Sequence, residues 1–370
     1  MSDKLRVGLI GTVSAFNDHF GHSIAAIPEM NGVAAATLGR SENYVEYSLM
    51  DSVENYAQKY NLQIYEDPWE MVEREGLQAV YLTTEDHLLA QYAIQSAKRG
   101  LHVFMHKPWA TNLENADAVI AAAQENNVVI LPNLPRRFTA THVYAQQQVR
   151  AGVIGKPLMM HTSHSHHLKF GPWKSDPLKA GGAEFEVGFY DCDTHRMLMD
   201  ADPIKVYCVS GNLQHMGIPF VDNLKATVTY DNGGYGSLSM YFGTDFQFIR
   251  GECTELVGED GAIRIVGNQV IIATRDGETT IEPDRMVMNT EDIRNWVHAC
   301  LGIAKSKTSL EEGRRTLQLC MALRASSRLG EAVTLPLDDQ PEVRKAARPY
   351  ELSDFGKMPE PPIAAGVKVT

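Results

Sequence analysis

The sequence predicts an α/β domain with a parallel sheet, followed by an α+β domain whose sheet is largely antiparallel. Short apolar strands alternate with helices over the first ~130 residues, which is the pattern of βαβ units. Beyond residue 136, several strand-like runs follow one another and are joined by turn signals. The chain of 370 residues is long enough for two domains, each with its own core.

The first part of the chain supplies the parallel sheet and its covering helices. Apolar runs predict strands at residues 5–10, 33–38, 79–83, 102–105 and 128–131, and amphipathic runs predict helices at residues 20–27, 53–60, 88–99 and 113–125. In such a sheet, ligands bind beyond the carboxyl ends of the strands. Those ends carry the candidate ligand-binding residues Gly11, Arg40, Thr84, His87 and Lys107.

The second part of the chain predicts a sheet with flanking helices. Strand-like runs occupy residues 157–164, 204–209, 224–230, 236–242, 254–257, 263–266 and 270–273, and helical runs occupy residues 141–151, 181–200, 291–303 and 310–329. Ser309 precedes the last helix, and Glu312 three residues on completes a capping box. From residue 338 the chain is charged and rich in proline, which favours a tail that wraps the domain.

The bulk composition argues against several classes of protein. A net charge of −12 disfavours nucleic acid or an anionic membrane surface as the main partner. No apolar run approaches the ~18 residues that a membrane-spanning helix needs, and the chain enters a strand pattern without a signal peptide. The five cysteines lie far apart and form no CxxC pair, which is typical of reduced thiols. We therefore expect a cytoplasmic protein.

The loop after the first strand carries a degraded glycine motif. A dinucleotide-binding Rossmann loop has the pattern G-x-G-x-x-G, but here Gly11 is followed by Val13 and Phe16 at the other two glycine positions. Ser14 offers a hydroxyl that can replace a lost backbone contact to phosphate. The loop residues that we assign to the cofactor are Gly11, Thr12, Val13 and Ser14. The alternative is a loop that no longer binds a cofactor.

The end of the second strand indicates which dinucleotide binds. An Asp or Glu there would hold the ribose hydroxyls of NAD, whereas this chain has Arg40 followed by Ser41. Guanidinium binds phosphate in a bidentate manner, so this pair favours the 2′-phosphate of NADP. We expect NADP, with NAD as the second candidate because Glu42 and Glu46 lie close by. The alternative is that Arg40 is a solvated loop residue.

Residues 181–200 predict a helix that concentrates groups able to transfer protons. Glu186, Tyr190 and Asp193 recur at helical spacing and share one face. Asp191 and His195 form a second pair, one turn apart. This arrangement is typical of an acid/base site, although the same charges would be solvated on a surface helix.

Several ordered segments match the pattern of a known family. The run YLTTEDHLLAQYAIQSAKRGLHVFMHKPWA corresponds to a T-x-N-H…G-K-H-V-x-x-E-K-P segment and contains Lys107. It is followed by PRRF, by GVIGKP, by W-x-x-D-P-x-x-A-G-G from Trp173, and by a run containing Gly188, Asp193 and Arg196. In their order and spacing, these segments resemble the glucose-fructose oxidoreductase/inositol dehydrogenase family (Gfo/Idh/MocA) over nearly the whole chain.

The resemblance implies a fold and a reaction. It implies a Rossmann domain followed by a domain built on a large, mostly antiparallel open sheet, and reversible hydride transfer between a nicotinamide and a sugar, cyclitol or related alcohol. Lys107 matches the lysine that contacts the reacting hydroxyl, and Glu186 and Tyr190 stand where the family has Asp and His. Three departures are His106 in place of a glutamate, Tyr190 in place of the usual histidine, and Val13 with Phe16 in the glycine loop. We place the dinucleotide-binding domain at residues 1–134, a substrate-binding and oligomerisation domain at 135–340, and a C-terminal tail at 341–370.

The predicted reaction needs a base for the hydroxyl proton of the substrate. We expect Tyr190 to exchange this proton, because a neighbouring cation such as Lys107 favours the phenolate. Lys107 would orient the hydroxyl and stabilise the developing negative charge, and Glu186 would act as an orienting group. His195 is the alternative acid/base.

A histidine-rich strand leads into the candidate site. Alternation along a strand puts His161 and His167 on one face and His164 and His166 on the other, which splits a metal-ligand set, so we expect no metal. The tryptophan that follows this strand either stacks on a sugar ring or belongs to the core. The residues that we assign to substrate binding are Lys107, His164, His166, Trp173 and Asp193.

These observations predict an NAD(P)-dependent sugar or polyol dehydrogenase or reductase. One alternative is an enzyme that uses tightly bound nicotinamide transiently to cleave glycosides, and another is a non-catalytic nucleotide-binding regulator on the same fold. The partner is expected to be a small sugar, cyclitol or glycoside. An open sheet would expose a large apolar face, so we also expect a homodimer or homotetramer formed through it.

Overall fold

The computed structural model describes residues 4–12, 17–40, 52–165, 173–174, 176, 178–213, 221–241, 252–284 and 290–349. The first of its two sheets has six parallel strands in the order β3-β2-β1-β4-β5-β6. The strands are β1 (Leu5–Ile10), β2 (Met30–Ala36), β3 (Gln63–Tyr65), β4 (Ala79–Leu82), β5 (His102–Met105) and β6 (Ile130–Pro132), and the helices between them are α1 (Asn17–Ala26), α2 (Val53–Tyr60), α3 (Pro68–Glu75), α4 (Asp86–Ala97) and α5 (Leu113–Glu125). This is the strand order of a Rossmann fold.

The second sheet has nine strands and follows a short 3-10 helix (Pro135–Phe138) and α6 (Ala140–Arg150). Its strands are β7 (Pro157–Ser165), β8 (Pro203–Gly211), β9 (Asn223–Tyr230), β10 (Tyr235–Tyr241), β11 (Glu252–Gly258), β12 (Gly261–Val266), β13 (Gln269–Thr274), β14 (Gly277–Ile281) and β15 (Val333–Thr334). The order is β14-β13-β12-β11-β7-β10-β9-β8-β15, and only the β7–β10 pair among these described strands is parallel. The predicted fold class is confirmed.

Helices cover one face of the second sheet. They are α6, α8 (Gly188–Met199) and α10 (Leu310–Leu329), with α7 (Ala183–Glu186) and α11 (Pro341–Ala346) packed against α10. The predicted helix over residues 181–200 is therefore two helices with a break at Val187. A Cβ at Gly188 would lie 3.0 Å from Sδ of Met240 in β10, so the glycine lets α8 approach the sheet closely.

Helix α9 (Glu291–Cys300) packs on the first sheet, although the division of the sequence assigns it to the second domain. Its Trp296 is fully buried and meets Phe104 of β5 edge-on, with ring centroids 5.7 Å apart. Phe104 stacks in turn on Tyr81 of β4 at 4.9 Å. The chain thus returns to the first sheet after forming most of the second. The domain boundary near residue 134 stays a prediction, with α9 assigned to the first domain instead of the second.

Most predicted elements are present; the missed strands are short or exposed, and the missed helices α3 and α11 have eight and six residues. The helices α2, α5 and α10 have the predicted bounds. Strands β3 and β15 have three and two residues, and β14 is exposed along most of its length, so none has a buried apolar run that periodicity could detect. Among the described residues, no helix is both long and apolar enough to span a bilayer.

Candidate active site

Lys107 lies beyond the carboxyl end of β5 and is only 3 % exposed. Its Nζ donates to the backbone oxygen of Glu186 at 2.6 Å and to the carboxylate Oε2 of the same residue at 2.9 Å. Glu186 is the last residue of α7, which belongs to the second part of the chain. This buried ion pair therefore joins the two halves at the edge of the parallel sheet where ligands bind.

A second lysine, Lys174, contacts the same carboxylate and was not singled out from the sequence. Its Nζ lies 2.9 Å from Oε2 of Glu186, and the residue is 6 % exposed. The other carboxylate oxygen, Oε1, is buried and has no hydrogen-bond partner among the described residues. A buried acceptor left unsatisfied costs ~1–3 kcal/mol, so this oxygen is suited to accept a hydrogen bond from a ligand hydroxyl.

Burial and charge fix the protonation states around this contact. Burial alone would raise the pKa of Glu186, but the ammonium groups of Lys107 and Lys174 outweigh it and hold that pKa below its usual range. Burial and the Glu186 charge raise the pKa of Asp86 well above its usual range, and Asp86 accepts a hydrogen bond from the backbone N–H of Gly181 at 2.7 Å. Of these two buried carboxyl groups, Glu186 thus has the lowered pKa and Asp86 the raised one.

His106 precedes the site lysine and is also neutral. Burial, followed by the charge of Lys107, lowers the pKa of His106 well below its usual range. The residue is 2 % exposed. It adds no charge to the site, unlike the glutamate that the family has at this position.

Tyr190 lies in the first turn of α8 with cations against its ring. Nζ of Lys107 is 5.2 Å from the ring centroid, and Cζ of Arg136 in the 3-10 helix is 5.3 Å away. Tyr190 is half-buried, whereas Arg136 is 9 % exposed. Cations at this distance attract the electron-rich face of the ring. The structure therefore brings Tyr190, Lys107 and Glu186 together, as the sequence predicted.

The end of β1 fits a dinucleotide. Gly11 has φ +88°, and a Cβ there would lie 2.9 Å from the backbone nitrogen of Thr84, so only glycine suits this position. The hydroxyl of Thr12 is buried and has no hydrogen-bond partner within the described part of the chain. A phosphate-binding turn requires backbone that no side chain blocks and a donor that can bind the phosphate, and Gly11 and Thr12 supply these two features. The assigned residues Val13, Ser14 and Ser41 lie outside the described residues.

Arg40 is anchored at the end of β2. Its Nη2 lies 2.8 Å from Oε1 of Glu85, which is fully buried at the start of α4. The guanidinium of Arg40 is therefore ion-paired, while 34 % of the side chain is exposed. His87, in the first turn of α4, is exposed, and its Nδ1 lies 3.4 Å from the carbonyl oxygen of Lys179.

The histidine-rich strand alternates as predicted. On the outer face of β7, Nδ1 of His161 lies 2.9 Å from the hydroxyl of Ser237. On the inner face, Nδ1 of His164 lies 3.4 Å from Oδ2 of Asp191, and both residues are buried. Asp191 therefore lies against the His164 ring rather than one helical turn from a catalytic His195. His166 and His167 lie outside the described residues.

His195 is a core residue, which corrects its assignment as an alternative acid/base. It is fully buried, and its ring nitrogens contact the hydroxyls of Tyr230 at 2.6 Å and Thr162 at 3.0 Å. Burial lowers the pKa of His195 to about 3, so the ring is neutral. Helical spacing alone cannot tell which of the two faces of α8 is turned into the sheet.

Asp193 is a structural residue, which corrects its assignment to the substrate. Its carboxylate accepts hydrogen bonds from Nε and Nη2 of Arg137 at 2.9–3.0 Å and from the hydroxyl of Thr316 at 3.0 Å. Glu312 binds the same arginine at 2.9 Å and also binds Arg196 at 3.2 Å. This network ties the 3-10 helix, α8 and α10 together.

Trp173 also belongs to the interior. It is 1 % exposed and packs against Ala180, and Nζ of Lys174 lies 5.3 Å from its ring centroid. The ring is therefore not open for stacking on a sugar, which corrects that assignment. The ring instead packs beside the ammonium group of Lys174, which contacts Glu186.

The two-sheet architecture and the buried lysine at the end of β5 define a two-domain, dinucleotide-dependent oxidoreductase. Residues 5–134 match the model of the oxidoreductase family with an NAD-binding Rossmann fold, and residues 142–264 match the model of the Gfo/Idh/MocA C-terminal domain. The chain belongs to the Gfo/Idh/MocA family, which confirms the resemblance and the expected NAD(P)-dependent oxidoreductase activity.

The curated relatives reported below share less than 30 % sequence identity with this chain. The chain is 23 % identical to 1,5-anhydro-D-fructose reductase of Ensifer adhaerens over 72 % of this chain and 82 % of the relative. It is 27 % identical to scyllo-inositol 2-dehydrogenase (NAD(+)) of Bacillus subtilis, over 54 % of this chain and 58 % of that enzyme. Among solved structures, the WlbA dehydrogenase of Bordetella pertussis, in complex with NADH and UDP-GlcNAcA, is similar with a TM-score of 0.80 at 21 % identity, covering 91 % of this chain and 99 % of the other. That likeness supports the fold.

We predict that Asp193→Ala destabilises the protein by ~1–3 kcal/mol, because it removes the buried acceptor of hydrogen bonds from Arg137 and Thr316, although Glu312 still pairs with Arg137. The measurement is the urea midpoint followed by far-UV circular dichroism. Asp276→Ala, in the exposed turn between β13 and β14, is the matched control and is expected to change stability by less than ~0.5 kcal/mol. Equal midpoints for the two variants would contradict a structural role for Asp193.

Proposed function

We propose that this oxidoreductase transfers a hydride between a nicotinamide dinucleotide and the hydroxyl or keto carbon of a sugar or cyclitol. The observation that carries the proposal is the buried contact between Lys107 and Glu186, which lies at the carboxyl ends of the parallel strands. The names of the relatives support the substrate class, since one is an anhydrofructose reductase and another an inositol dehydrogenase.

In the oxidative direction, a secondary alcohol and the oxidised dinucleotide become a carbonyl compound, the reduced dinucleotide and one proton, and the bound nicotinamide supplies the hydride acceptor. Lys107 donates a hydrogen bond to the substrate oxygen and stabilises the charge that develops there. Tyr190 is the proposed acceptor of the hydroxyl proton, and Lys107 and Arg136 lie against its ring. Glu186 orients the lysine ammonium, and its Oε1 accepts a hydrogen bond from a second substrate hydroxyl.

The remaining assigned residues flank this centre. His164 stays a proposed substrate contact beside Asp191, and His166 stays one from the sequence alone. The proposed cofactor-binding residues are Gly11, Thr12, Val13, Ser14, Arg40, Ser41, Thr84, His87 and Lys107.

We predict that Lys107→Met lowers kcat by about 100- to 1000-fold, the loss typical for removal of a donor that stabilises a developing oxyanion. The measurement is reduction of NAD and NADP, followed by absorbance, over a panel of sugars and cyclitols. Lys98→Met, at the exposed end of α4, is the control and should keep full activity.

The same panel separates the competing functions. Full turnover by Lys107→Met would overturn the proposed mechanism. Bound cofactor without net reduction would support transient use of nicotinamide, and no redox chemistry with any substrate would support a regulator.

The preference for NADP is a separate proposal that depends on Arg40. Arg40→Ala should raise the ratio of the Kd for NADP to the Kd for NAD by ~10-fold, equivalent to ~1.4 kcal/mol, because a charge-assisted bond to the 2′-phosphate is lost. The ratio is measured by fluorescence titration. The double variant Arg40→Ala/Glu85→Gln is the control, since it removes the carboxylate that would otherwise be left buried without this arginine. An unchanged ratio of the two Kd values would show that Arg40 pairs with Glu85 without contacting the 2′-phosphate.

We also propose that two or four copies assemble through the uncovered face of the second sheet. Tyr235, Met159 and Val257 are direct neighbours across β10, β7 and β11, and each is between 38 % and 54 % exposed in the single chain. Tyr207 and Val209 of β8 extend this apolar face and are 47 % and 59 % exposed. An apolar surface of this kind is typical of an interface.

Met159→Asp is therefore expected to lower the molar mass in light scattering at micromolar concentration, because a charge in an apolar contact is costly to bury. Ile303→Asp, an equally apolar and exposed position after α9, is the control and should leave the mass unchanged. A monomer for the unaltered protein would contradict the assembly.

A further inference from the structure

Building on the proposed dinucleotide site, we propose that Glu85 is a specificity-determining residue, which holds and offsets the charge of Arg40 and so lets the site accept NAD as well as NADP. Removal of this carboxylate should shift the site toward NADP. The inference depends on where the two side chains lie, how deeply each is buried, and how their charges act on a 2′-phosphate.

The first observation is the position of the ion pair. Arg40 comes after β2 and Glu85 after β4, the two strands that lie on either side of β1 in the parallel sheet. Nη2 of Arg40 lies 2.8 Å from Oε1 of Glu85, so the pair joins the ends of these two strands. The turn at Gly11 follows the strand between them. The pair therefore lies at the edge of the sheet where a dinucleotide binds in this strand order.

The second observation is that the two side chains are buried to different depths. The side chain of Glu85 is fully buried, whereas 34 % of the Arg40 side chain is exposed. Oε2 of Glu85 is also buried and has no hydrogen-bond partner among the described residues. Because this carboxylate is shielded from water, the loss of its cation would be strongly destabilising. Arg40 is therefore held at Glu85 when a ligand arrives.

The third observation concerns charge. A 2′-phosphate binds a guanidinium through charge-assisted hydrogen bonds, whereas an adjacent carboxylate repels the phosphate. Glu85 places such a carboxylate within hydrogen-bonding distance of Arg40. The neutral 2′-hydroxyl of NAD meets no such repulsion. A repulsive element of this kind sets specificity, because it weakens the binding of one ligand and leaves the other unaffected.

The test is a double-mutant cycle on the full chain, with Kd values for NADP and NAD measured by fluorescence titration. In the unaltered protein, the two Kd values should differ by less than ~10-fold. Glu85→Gln keeps the shape of the side chain and removes its charge, so the ratio of the Kd for NADP to the Kd for NAD should fall by ~10-fold. In the Arg40→Ala background, the same substitution should change this ratio by less than ~3-fold, because the guanidinium that Glu85 offsets is already gone.

Two control variants separate the role of this carboxylate from a general effect of charge. Glu85→Asp retains the negative charge and should keep the Kd ratio of the unaltered protein. Glu73→Gln removes the same charge from an exposed position of α3 and should leave the ratio unchanged. A merely structural role for Glu85 would weaken the binding of both dinucleotides equally in Glu85→Gln. The ratio would then stay unchanged, and the inference would be overturned.

The Kd ratio of the unaltered protein gives an independent result if Glu85→Gln does not fold. A difference of more than ~10-fold between its two Kd values would overturn the inference, and so would an equal fall of the ratio with and without Arg40. Hydride transfer to the dinucleotide that binds would leave the proposed function standing in either case. Binding of both dinucleotides with the expected change in Glu85→Gln, but without reduction by any sugar or cyclitol, would instead count against the proposed function alone.

Discussion

The buried ion pair between Lys107 and Glu186 is the interaction on which the site depends. Lys107 is fixed by the end of β5 in one half of the chain, and Glu186 by the end of α7 in the other. Neither charge is stable alone at this depth, because desolvating an ion costs several kcal/mol unless a partner is present. The two halves must therefore meet correctly for Lys107 and Glu186 to compensate each other's charge where a substrate hydroxyl would bind.

A second layer of charged contacts holds the two halves in that position. Arg137, just after the boundary between the sheets, binds Asp193 of α8 and Glu312 of α10. Asn133, at the end of β6, donates to the buried Asp292 of α9, which carries the chain back to the first sheet. These contacts cross between elements far apart in sequence. They explain why a polar residue of α8 such as Asp193, which the sequence assigned to the substrate, instead holds the elements of the two halves together.

The sequence was sufficient for the fold and for part of the site. Hydrophobic periodicity located long elements such as α5 and α10, and the lysine after a buried strand pointed to Lys107. Periodicity also grouped Asp193 and His195 with the site, because it finds faces of a helix without telling what each face meets. Lys174 has no periodic signal, since it lies in an irregular segment beside a buried tryptophan, and only folding brings it to Glu186.

The charge of this cluster is difficult to explain by stability. Buried ion pairs contribute little to folding, and replacing them with apolar groups of similar volume is often neutral or stabilising. Here Lys107 and Lys174 share one carboxylate inside a chain whose net charge is −12. In a buried site the low dielectric strengthens the electrostatic attraction between such groups and a polar ligand. Chemistry at the site, rather than the stability of the fold, therefore accounts for the buried charges that meet at Glu186.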